Sequence, residues 1–394
     1  MTNNELNPDA GFIELIKNIG GDSFDNSFKK CFQCGTCSVV CPLTHDEKPF
    51  PRKEMILTGW GLKDKLVGSL DPWLCYYCGK CSENCPRKAN PAELMMSLRR
   101  WLITVYDWTG ISKLLYKSKL AEFVFLFIIA IVVFFEWILL FGLFPNSGNG
   151  SLNQIIPPDK IDLFFDWPMT AILSILLISF IFNMYYKTIL SDKNLKIPIK
   201  LYISELWALI FNFFTQYKYS KCENDPEPFL KKLFSGKYNY WLIHWFLMTS
   251  YVSLFVAIVF FLYWFQTDYT SDLHVFLYDY YASIGLLGGL IYFTIRRIVK
   301  KVERSKFSHH TDWTFIILLF LTALTGVILR IVIVYKVPIP WIFYLYLIHM
   351  MILMPMLIVE VPFSKWSHLA YRPVAVYLSN LRDKANLQDR DRAE

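Results

Sequence analysis

Apolar positions are distributed unevenly along the chain. Residues 1–118 have the mixed polar and apolar pattern of a soluble domain, whereas most of the excess apolar residues lie beyond Leu120. Six apolar segments there have about the length needed to cross a hydrocarbon core. They are residues 121–144, 168–187, 241–265, 278–296, 313–335 and 341–361. None alternates in the manner of an outer-membrane barrel strand, so the pattern predicts a bundle of six transmembrane helices.

The polar N-terminal part also predicts helices rather than strands. Residues 1–110 show little alternation of period two. In the segment Asn90–Tyr106, Pro91 stands near the start and good helix formers follow, which favours a helix. We therefore predict an all-α chain with three parts: a helical cysteine-rich domain at 1–118, a transmembrane domain at 119–375 and a charged cytoplasmic tail at 376–394.

A further apolar and aromatic stretch lies at residues 198–218 and contains Glu205. It stands within a basic loop between the second and third apolar segments. We interpret it as an amphipathic helix that lies in the membrane interface, with a re-entrant segment as the alternative.

Composition and charge agree with a membrane protein. Of 394 residues, 54% are hydrophobic and 19% are charged, against about 25% charged in an ordinary soluble domain. These values exclude a disordered chain and a small secreted disulfide protein. The net charge of +7 could indicate nucleic-acid binding, but the basic residues flank apolar segments, as in membrane proteins. We expect no nucleic-acid partner.

The loop charges predict the orientation of the chain. Nine lysines lie within residues 187–240 and six basic residues within 296–306, whereas the opposite loops contain only Lys160 and Lys336. Since basic loops face inward, both termini are expected in the cytoplasm and the bundle in the inner membrane. Met1–Asp25 is polar and lacks an apolar core, so no signal peptide is expected. Cytoplasmic cysteines are more often metal ligands or redox groups than disulfides.

Eight of the nine cysteines occur in two runs of identical spacing. Cys31–Pro42 and Cys75–Pro86 both read C-x2-C-x2-C-x3-C-P, the pattern of bacterial [4Fe–4S] ferredoxins. The cysteine before proline usually ligates the other cluster in such proteins. The first predicted cluster therefore takes Cys31, Cys34, Cys37 and Cys85, and the second takes Cys75, Cys78, Cys81 and Cys41.

Zinc is the alternative metal for these cysteines. Structural zinc needs four tetrahedral ligands, commonly from two separated C-x2-C pairs. Two complete runs that each end in Cys-Pro fit this arrangement poorly, so we favour iron–sulfur clusters. Cys222 lies in a charged loop, and we interpret it as a free thiol.

Histidines at membrane depth predict haem b sites. Neutral imidazole is a common axial ligand of haem, and ionisable groups within spans are functional candidates. His349 and His368 are nineteen residues apart, which is roughly 28 Å along a helix. They would therefore serve two haems near opposite faces. His244 has the depth of His368, so these two are predicted to hold the inner haem.

The outer haem would be held by His349, and His274 is the candidate for its second ligand at a shallower depth. His309 and His310 begin the fifth apolar segment on the inner side. They could instead rival His244 or bind phosphate headgroups or a quinone.

Two charged residues lie in the interior of the apolar segments, away from the segment ends. Arg330 in the fifth segment is expected to contact a haem propionate or the quinone, or to extend to the interface. Glu136 in the first is either a proton relay or an interhelical contact. Paired intramembrane carboxyl groups or broken helices would favour a transporter or membrane sensor. Because no second carboxyl accompanies Glu136 in the pattern, electron transfer is the favoured interpretation.

Several stretches resemble known families. The run Cys31-Phe-Gln-Cys34-Gly-Thr-Cys37 resembles the ferredoxin-type C subunit of heterodisulfide reductases. The membrane part resembles the cytochrome b subunit of those enzymes and the gamma subunit of respiratory nitrate reductases. The stretches that carry this likeness are His244-Trp245, Asp312-Trp313 with Thr325-Gly326, and Pro362–His368. Their fusion in one chain resembles the C subunits of quinone-interacting membrane-bound oxidoreductase complexes.

The resemblance implies a membrane subunit that passes electrons between menaquinone or a similar quinone, haems b and two [4Fe–4S] clusters. It also implies cytoplasmic flavoprotein partners similar to heterodisulfide reductase A, and a link to adenylylsulfate reductase in sulfur metabolism. In nitrate reductase gamma subunits, the span that matches residues 241–265 of this chain supplies two haem ligands about ten residues apart. Here His244 matches the first, and Leu254 lies near the position of the second, which is why His274 is considered.

The alternative is a membrane subunit of a heterodisulfide- or sulfite-linked reductase complex. Catalytic sites of such complexes carry Cys-Cys-Gly motifs, usually on another chain. This sequence contains no Cys-Cys pair, so we expect no such site in it and no turnover of a soluble substrate by this chain without partners.

Overall fold

The computed structural model describes residues 8–20, 27–45, 48–145, 152–217, 239–266, 273–301 and 303–391. Within these ranges every regular element is a helix, and the one β-type contact is an isolated bridge between His45 and Lys48. The predicted all-α class is confirmed.

The N-terminal module, residues 8–117, is built from short helices around one long one. The helices are Ala10–Ile19, Thr36–Val39, Arg52–Gly59, Lys63–Val67, Asp71–Leu74, Lys80–Glu83, Pro91–Tyr106 and Ile111–Lys117. Pro91–Tyr106 forms the centre, because Leu94, Leu98 and Leu102 are fully buried along it. Its Trp101 packs edge-on against Phe12 of the first helix, with ring centroids 4.8 Å apart.

Six helices in the described residues are long and apolar enough to cross a membrane, as expected for a multi-pass membrane protein. The spans are Lys119–Phe141, Pro158–Leu190, Tyr240–Leu262, Leu277–Val299, His310–Val334 and Ile339–Phe363. All six predicted segments fall on them. The second span begins about ten residues before the predicted start, because a π-helical turn at Asp162–Asp166 joins Pro158–Ile161 to Trp167–Tyr185.

Similar π-helical turns widen three other positions in the spans. They are Tyr186–Leu190, Ile284–Gly288 and Met356–Glu360. Such turns often mark functional sites, because they displace side chains from the regular α-helical register.

Two further helices lie outside the spans and pack together. The connecting helix Ile199–Thr215 covers most of the stretch at 198–218. Its buried Glu205 accepts hydrogen bonds from Lys384 and Asn380 of the terminal helix His368–Asp391. The structure thus continues a helix through residues assigned to a charged tail, because Leu381 and Ala385 are buried in the core of the N-terminal module.

The terminal helix joins the module to the spans. Tyr371 is buried between Trp73 and Tyr106 of the module, at ring-centroid distances of 5.1 and 5.5 Å. Because this helix begins at His368, after the short 3-10 turn Lys365–Ser367 that follows the sixth span, the aromatic cluster fixes the module beside that histidine.

Candidate functional site

Both cysteine runs adopt the same backbone conformation. Gln33 and Tyr77 have φ of 64° and 55°, and Gly35 and Gly79 have φ of 82° and 88°. These left-handed positions turn the chain so that three cysteines line one concave loop, and glycine adopts them without steric cost. At Gly79 the packing requires glycine as well, since a Cβ would lie 2.8 Å from the Cβ of Glu303.

The first group of four thiols crosses between the runs. Burial raises the pKa of the Cys37 thiol to about 11, and repulsion from Cys31, Cys34 and Cys85 adds to this rise. Cys85 comes from the second run, so thiols of both runs lie near enough to repel one another, although the described residues form no group of three ligands around a single metal ion.

The second group has the mirror arrangement. Burial raises the pKa of Cys41 to about 12, with further repulsion from Cys75 and Cys78. Burial also raises the pKa of Cys81 well above its usual value, with Cys75, Cys78 and Cys41 contributing. Buried thiols gathered in this way stay protonated unless a metal replaces the protons, so the donor set fits thiolate-ligated iron.

Backbone N–H groups also point at the sulfur atoms. Tyr77 donates to Cys75 Sγ and Ala89 donates to Cys85 Sγ, each at 3.3 Å. Hydrogen bonds to ligating sulfur stabilise the thiolate and tune the reduction potential of a cluster.

His244 and His368 face each other on the side of the spans that carries the module. Their ring centroids are 6.4 Å apart. Two metal–nitrogen bonds of about 2.0 Å, with about 1.1 Å from each nitrogen to its ring centre, give a separation of about 6 Å. At this spacing both imidazoles would be able to bind one iron ion.

Hydrogen bonds select the tautomer that a metal needs. His244 Nδ1 donates to Gln216 Oε1 at 2.8 Å, and His368 Nδ1 donates to the carbonyl oxygen of Lys365 at 2.6 Å. Because both oxygens only accept, each imidazole carries its proton on Nδ1 and its lone pair on Nε2. Metal-ligating histidines are commonly oriented in this way.

A buried ionic network holds this region to the module. Asp312 at the start of the fifth span pairs with Arg100 at 3.2 Å, Arg297 at 3.4 Å and Lys365 at 2.5 Å. Arg100 belongs to the module helix Pro91–Tyr106, and Lys365 also supplies the carbonyl that orients His368. The network thus couples the position of the module to that of the histidine pair.

Replacing Asp312 by alanine is expected to lower the free energy of unfolding by about 3–5 kcal/mol, because three buried cations lose their shared counter-charge. Unfolding of the purified chain in detergent measures this. The control is Asp64→Ala, which removes an exposed carboxylate and should change stability by no more than about 0.5 kcal/mol. Equal stability of the two variants would contradict the role of the network.

Tyr76 connects the second cysteine group to the histidine pair. It lines a cavity of about 130 Å³ together with His244, His368 and Arg372. The Arg372 guanidinium lies 4.5 Å from the Tyr76 ring centroid, and it donates to the carbonyl oxygen of Cys75 at 3.4 Å. The second cysteine group, rather than the first, therefore lies against the spans.

The other histidine at membrane depth lines a separate cavity. His349 opens into a largely apolar space of about 210 Å³, and its Nδ1 is hydrogen-bonded to Thr325 Oγ1 at 2.8 Å. Arg330 lines the same cavity and forms an ion pair with Asp279 at 2.7 Å. The cavity has the apolar lining and few polar groups of a cofactor site.

A single histidine of the described residues lines this cavity. It is His349, and Leu254 lies at the wall of the cavity. The side chain of His274 lies outside the described residues, as does Cys222. His309 and His310 bond to Thr311 Oγ1 and to the Leu115 carbonyl, so they serve the start of the fifth span.

A buried carboxyl pair could not be found from the sequence. Glu122 in the first span and Glu360 in the sixth form this pair at the ends of the spans near the module. It is therefore not the mid-membrane pair that would favour a transporter. The two lie more than two hundred residues apart, at ends of spans where carboxylates usually face water, and no local signal links them. Glu136, the expected candidate, lies half-buried in the first span.

Comparison with known proteins identifies a 4Fe-4S dicluster domain at residues 27–89. A protein of Archaeoglobus profundus that is described as similar to the C subunit of heterodisulfide reductase is 35% identical over 94 residues, 24% of this chain and 48% of that protein. The C subunit of the H2:CoB-CoM heterodisulfide,ferredoxin reductase of Methanothermobacter marburgensis is 37% identical over 94 residues, with the same shares of each chain.

An iron-sulfur C subunit of the CoB–CoM heterodisulfide reductase of Methanocaldococcus jannaschii is 38% identical over 87 residues, 22% of this chain and 46% of that protein. The chain spans about half the length of the curated relatives it matches, and no solved structure matches it. The N-terminal module is therefore similar to the C subunits of heterodisulfide reductases and carries a domain for two [4Fe–4S] clusters.

Proposed function

We propose that the chain is a membrane electron-transfer subunit that passes electrons between a quinone, haems b and two [4Fe–4S] clusters. The observation that carries this proposal is the Tyr76 contact, in which a residue of the second cysteine run shares one cavity with His244 and His368. A haem and a cluster supply one-electron carriers, and this contact brings their ligand sets together.

The order of carriers follows from the packing of the module. The second cysteine group faces the histidine pair, whereas the first lies near the outer surface of the module. Around the first group Cys34 is exposed, and Phe32 and Val39 are 58% and 87% exposed. Electrons would therefore enter or leave the spans through the second cluster and reach a soluble partner through the first.

The same proposal assigns the remaining parts. The module faces the cytoplasm, following the basic loops. His349 would hold an outer haem, and Arg330 would neutralise its propionate while paired with Asp279. The soluble partners would be flavoproteins similar to heterodisulfide reductase A. The quinone would be menaquinone or a similar one. Adenylylsulfate reductase would exchange electrons with these soluble partners.

A second candidate function is a subunit of a heterodisulfide reductase-type complex. It is favoured by the relatives of the module, whose names place them in such complexes. Purification with the natural partners decides between the two, since a Cys-Cys-Gly catalytic subunit would co-purify in the second case and adenylylsulfate reductase would interact in the first.

A quinol analogue added to the purified complex is expected to reduce both the haems and the clusters. Optical spectra count b-type haem, and EPR counts reduced clusters. If the haem is intact but quinol reduces none of the iron–sulfur clusters, the proposed exchange of electrons with a quinone is contradicted.

The route can be tested separately with His349→Ala in proteoliposomes. If the outer haem lies on the path, cluster reduction by quinol should slow at least tenfold. Charge movement during turnover would also fall, because an electron crossing the field exchanges about 2.3 kcal/mol per 100 mV. A wild-type rate would place the quinone site on the cytoplasmic side instead.

A further inference from the structure

A buried pair of carboxyl groups links the first and sixth spans on the side that carries the module. Glu122 lies in the first turn of the first span, and Glu360 ends the π-helical turn Met356–Glu360. The first span packs against this turn, and the two carboxyl groups interact with each other there. Glu122 is 2% exposed and Glu360 is fully buried. We refer to these two groups as the carboxyl pair.

The hydrogen bonds around the carboxyl pair are incomplete. Glu122 Oε2 accepts from Thr314 Oγ1 at 3.0 Å and lies 3.6 Å from His310 Nε2. Glu122 Oε1 and both oxygens of Glu360 have no well-formed hydrogen bond among the described residues, and the buried Ser364 hydroxyl is the neutral donor that lies beside Glu360. Buried carboxylate oxygens rarely lack a donor, because an unsatisfied buried charge is costly. A proton shared within the pair supplies the missing donor.

The charges nearby lead to the same protonation. Two carboxylates this close in a low-dielectric site cannot both ionise. The titratable groups that face the pair are His310 of the fifth span, Tyr116 of helix Ile111–Lys117, and Asp312. Asp312 is already paired with three cations. His310 is therefore the one base beside the pair among the described residues.

We propose that the carboxyl pair is a proton-binding site that holds one shared proton and takes up a second when the redox chain is reduced. Glu360 lies eleven residues after His349, about 16 Å along the helix, and eight residues before His368, from which the extended residue Ser364 separates it. It thus stands between the two predicted haem levels. The coupling to reduction rests on the proposed function, whereas the shared proton does not.

The step balances in charge and atoms. When quinol is oxidised to quinone, its two protons leave at the quinone site and its two electrons pass to the carriers. For one electron that is held near the pair, the remaining carboxylate would gain one proton. That proton comes from water on the side of the module through His310, whose Nε2 is directed at the Leu115 carbonyl of the module. The added electron and proton leave the net charge of the membrane interior unchanged, and reoxidation releases the proton along the same path.

Infrared spectroscopy of the full-length protein tests the shared proton. A carboxylic-acid C=O band that shifts in D2O is expected in the oxidised protein. Glu122→Gln and Glu360→Gln should each alter this same band, because the proton belongs to both groups. Glu136→Gln is the matched control, because it changes a half-buried carboxyl elsewhere in the first span. It should leave the C=O band of the carboxyl pair unchanged. If the wild-type protein shows no such band, the proposal is overturned. This measurement does not depend on whether any variant folds.

Reduced-minus-oxidised infrared spectra test the coupling. Full reduction should increase the carboxylic-acid signal of the wild type, and Glu360→Gln should abolish this increase while haem and clusters are still reduced. A band that stays constant through complete reduction overturns the coupling. A preparation without haem b would overturn the proposed function instead, and its oxidised spectrum would still report the shared proton.

Discussion

Replacing His244 by alanine is expected to give a protein that lacks one b-type haem and keeps both iron–sulfur clusters. The reason is geometric, since the His244 and His368 ring centroids stand 6.4 Å apart and each Nδ1 is hydrogen-bonded to an oxygen atom, as is common for histidines that hold a metal. Loss of one axial ligand leaves the remaining imidazole unable to hold the haem through purification. Optical quantification of haem b per chain, with chemical iron and sulfide, measures the result.

The sharper form of this experiment compares single and double variants. His368→Ala should lose the same haem, and the double variant should lose no more than either single one, because both residues serve one site. Gln216→Leu removes the acceptor that orients His244 and should weaken haem retention about 10–100-fold. His45→Ala changes an exposed histidine of the module and serves as the control. Wild-type haem content in His244→Ala would reject the pair.

Replacing Cys41 by serine is expected to remove the second cluster and to spare the first, although Cys41 lies in the first run. Its thiol lies among Cys75, Cys78 and Cys81 in the structure. The iron content should fall from about eight to about four atoms per chain. EPR of the reduced protein identifies which cluster remains.

The functional consequence separates the two clusters. In Cys41→Ser, quinol should reduce haem without reducing the remaining cluster, because the cluster beside Tyr76 is gone. In Cys85→Ser only the first cluster should be lost, and quinol should still reduce the second cluster. Cys222→Ser is the control and should retain full iron. Loss of the first cluster in Cys41→Ser would refute the crossing, and stoichiometric zinc in the wild type would refute iron–sulfur chemistry.

Much of the fold could be predicted because its signals are local. The six spans follow from runs of apolar residues, and the two-cluster domain from cysteine spacing. The opposition of His244 and His368 follows from counting helical rises, because a membrane fixes the depth of each residue. These properties depend on one segment at a time.

What escaped prediction depends on contacts between distant segments. Glu122 and Glu360 meet only because the first and sixth spans pack side by side and a π-helical turn reorients Glu360. The sequence gives no sign that Tyr76, between two cysteines, differs from its neighbours. Its role depends on the terminal helix, which places Arg372 over its ring. The depth of His349 in the membrane could not identify its second ligand. Depth gives the height of a residue along its helix but not the direction in which its side chain points.

The terminal helix also sets an order for biosynthesis. The module is translated first, but Tyr371, which fills the space between Trp73 and Tyr106, is translated nearly three hundred residues later. Until the sixth span has been inserted, the module has no complete surface to dock on and its cysteines remain reachable by cluster-assembly proteins. Docking then closes the aromatic core and aligns the carriers, so a ribosome that stalls within the spans leaves a module able to accept iron but not connected to the membrane.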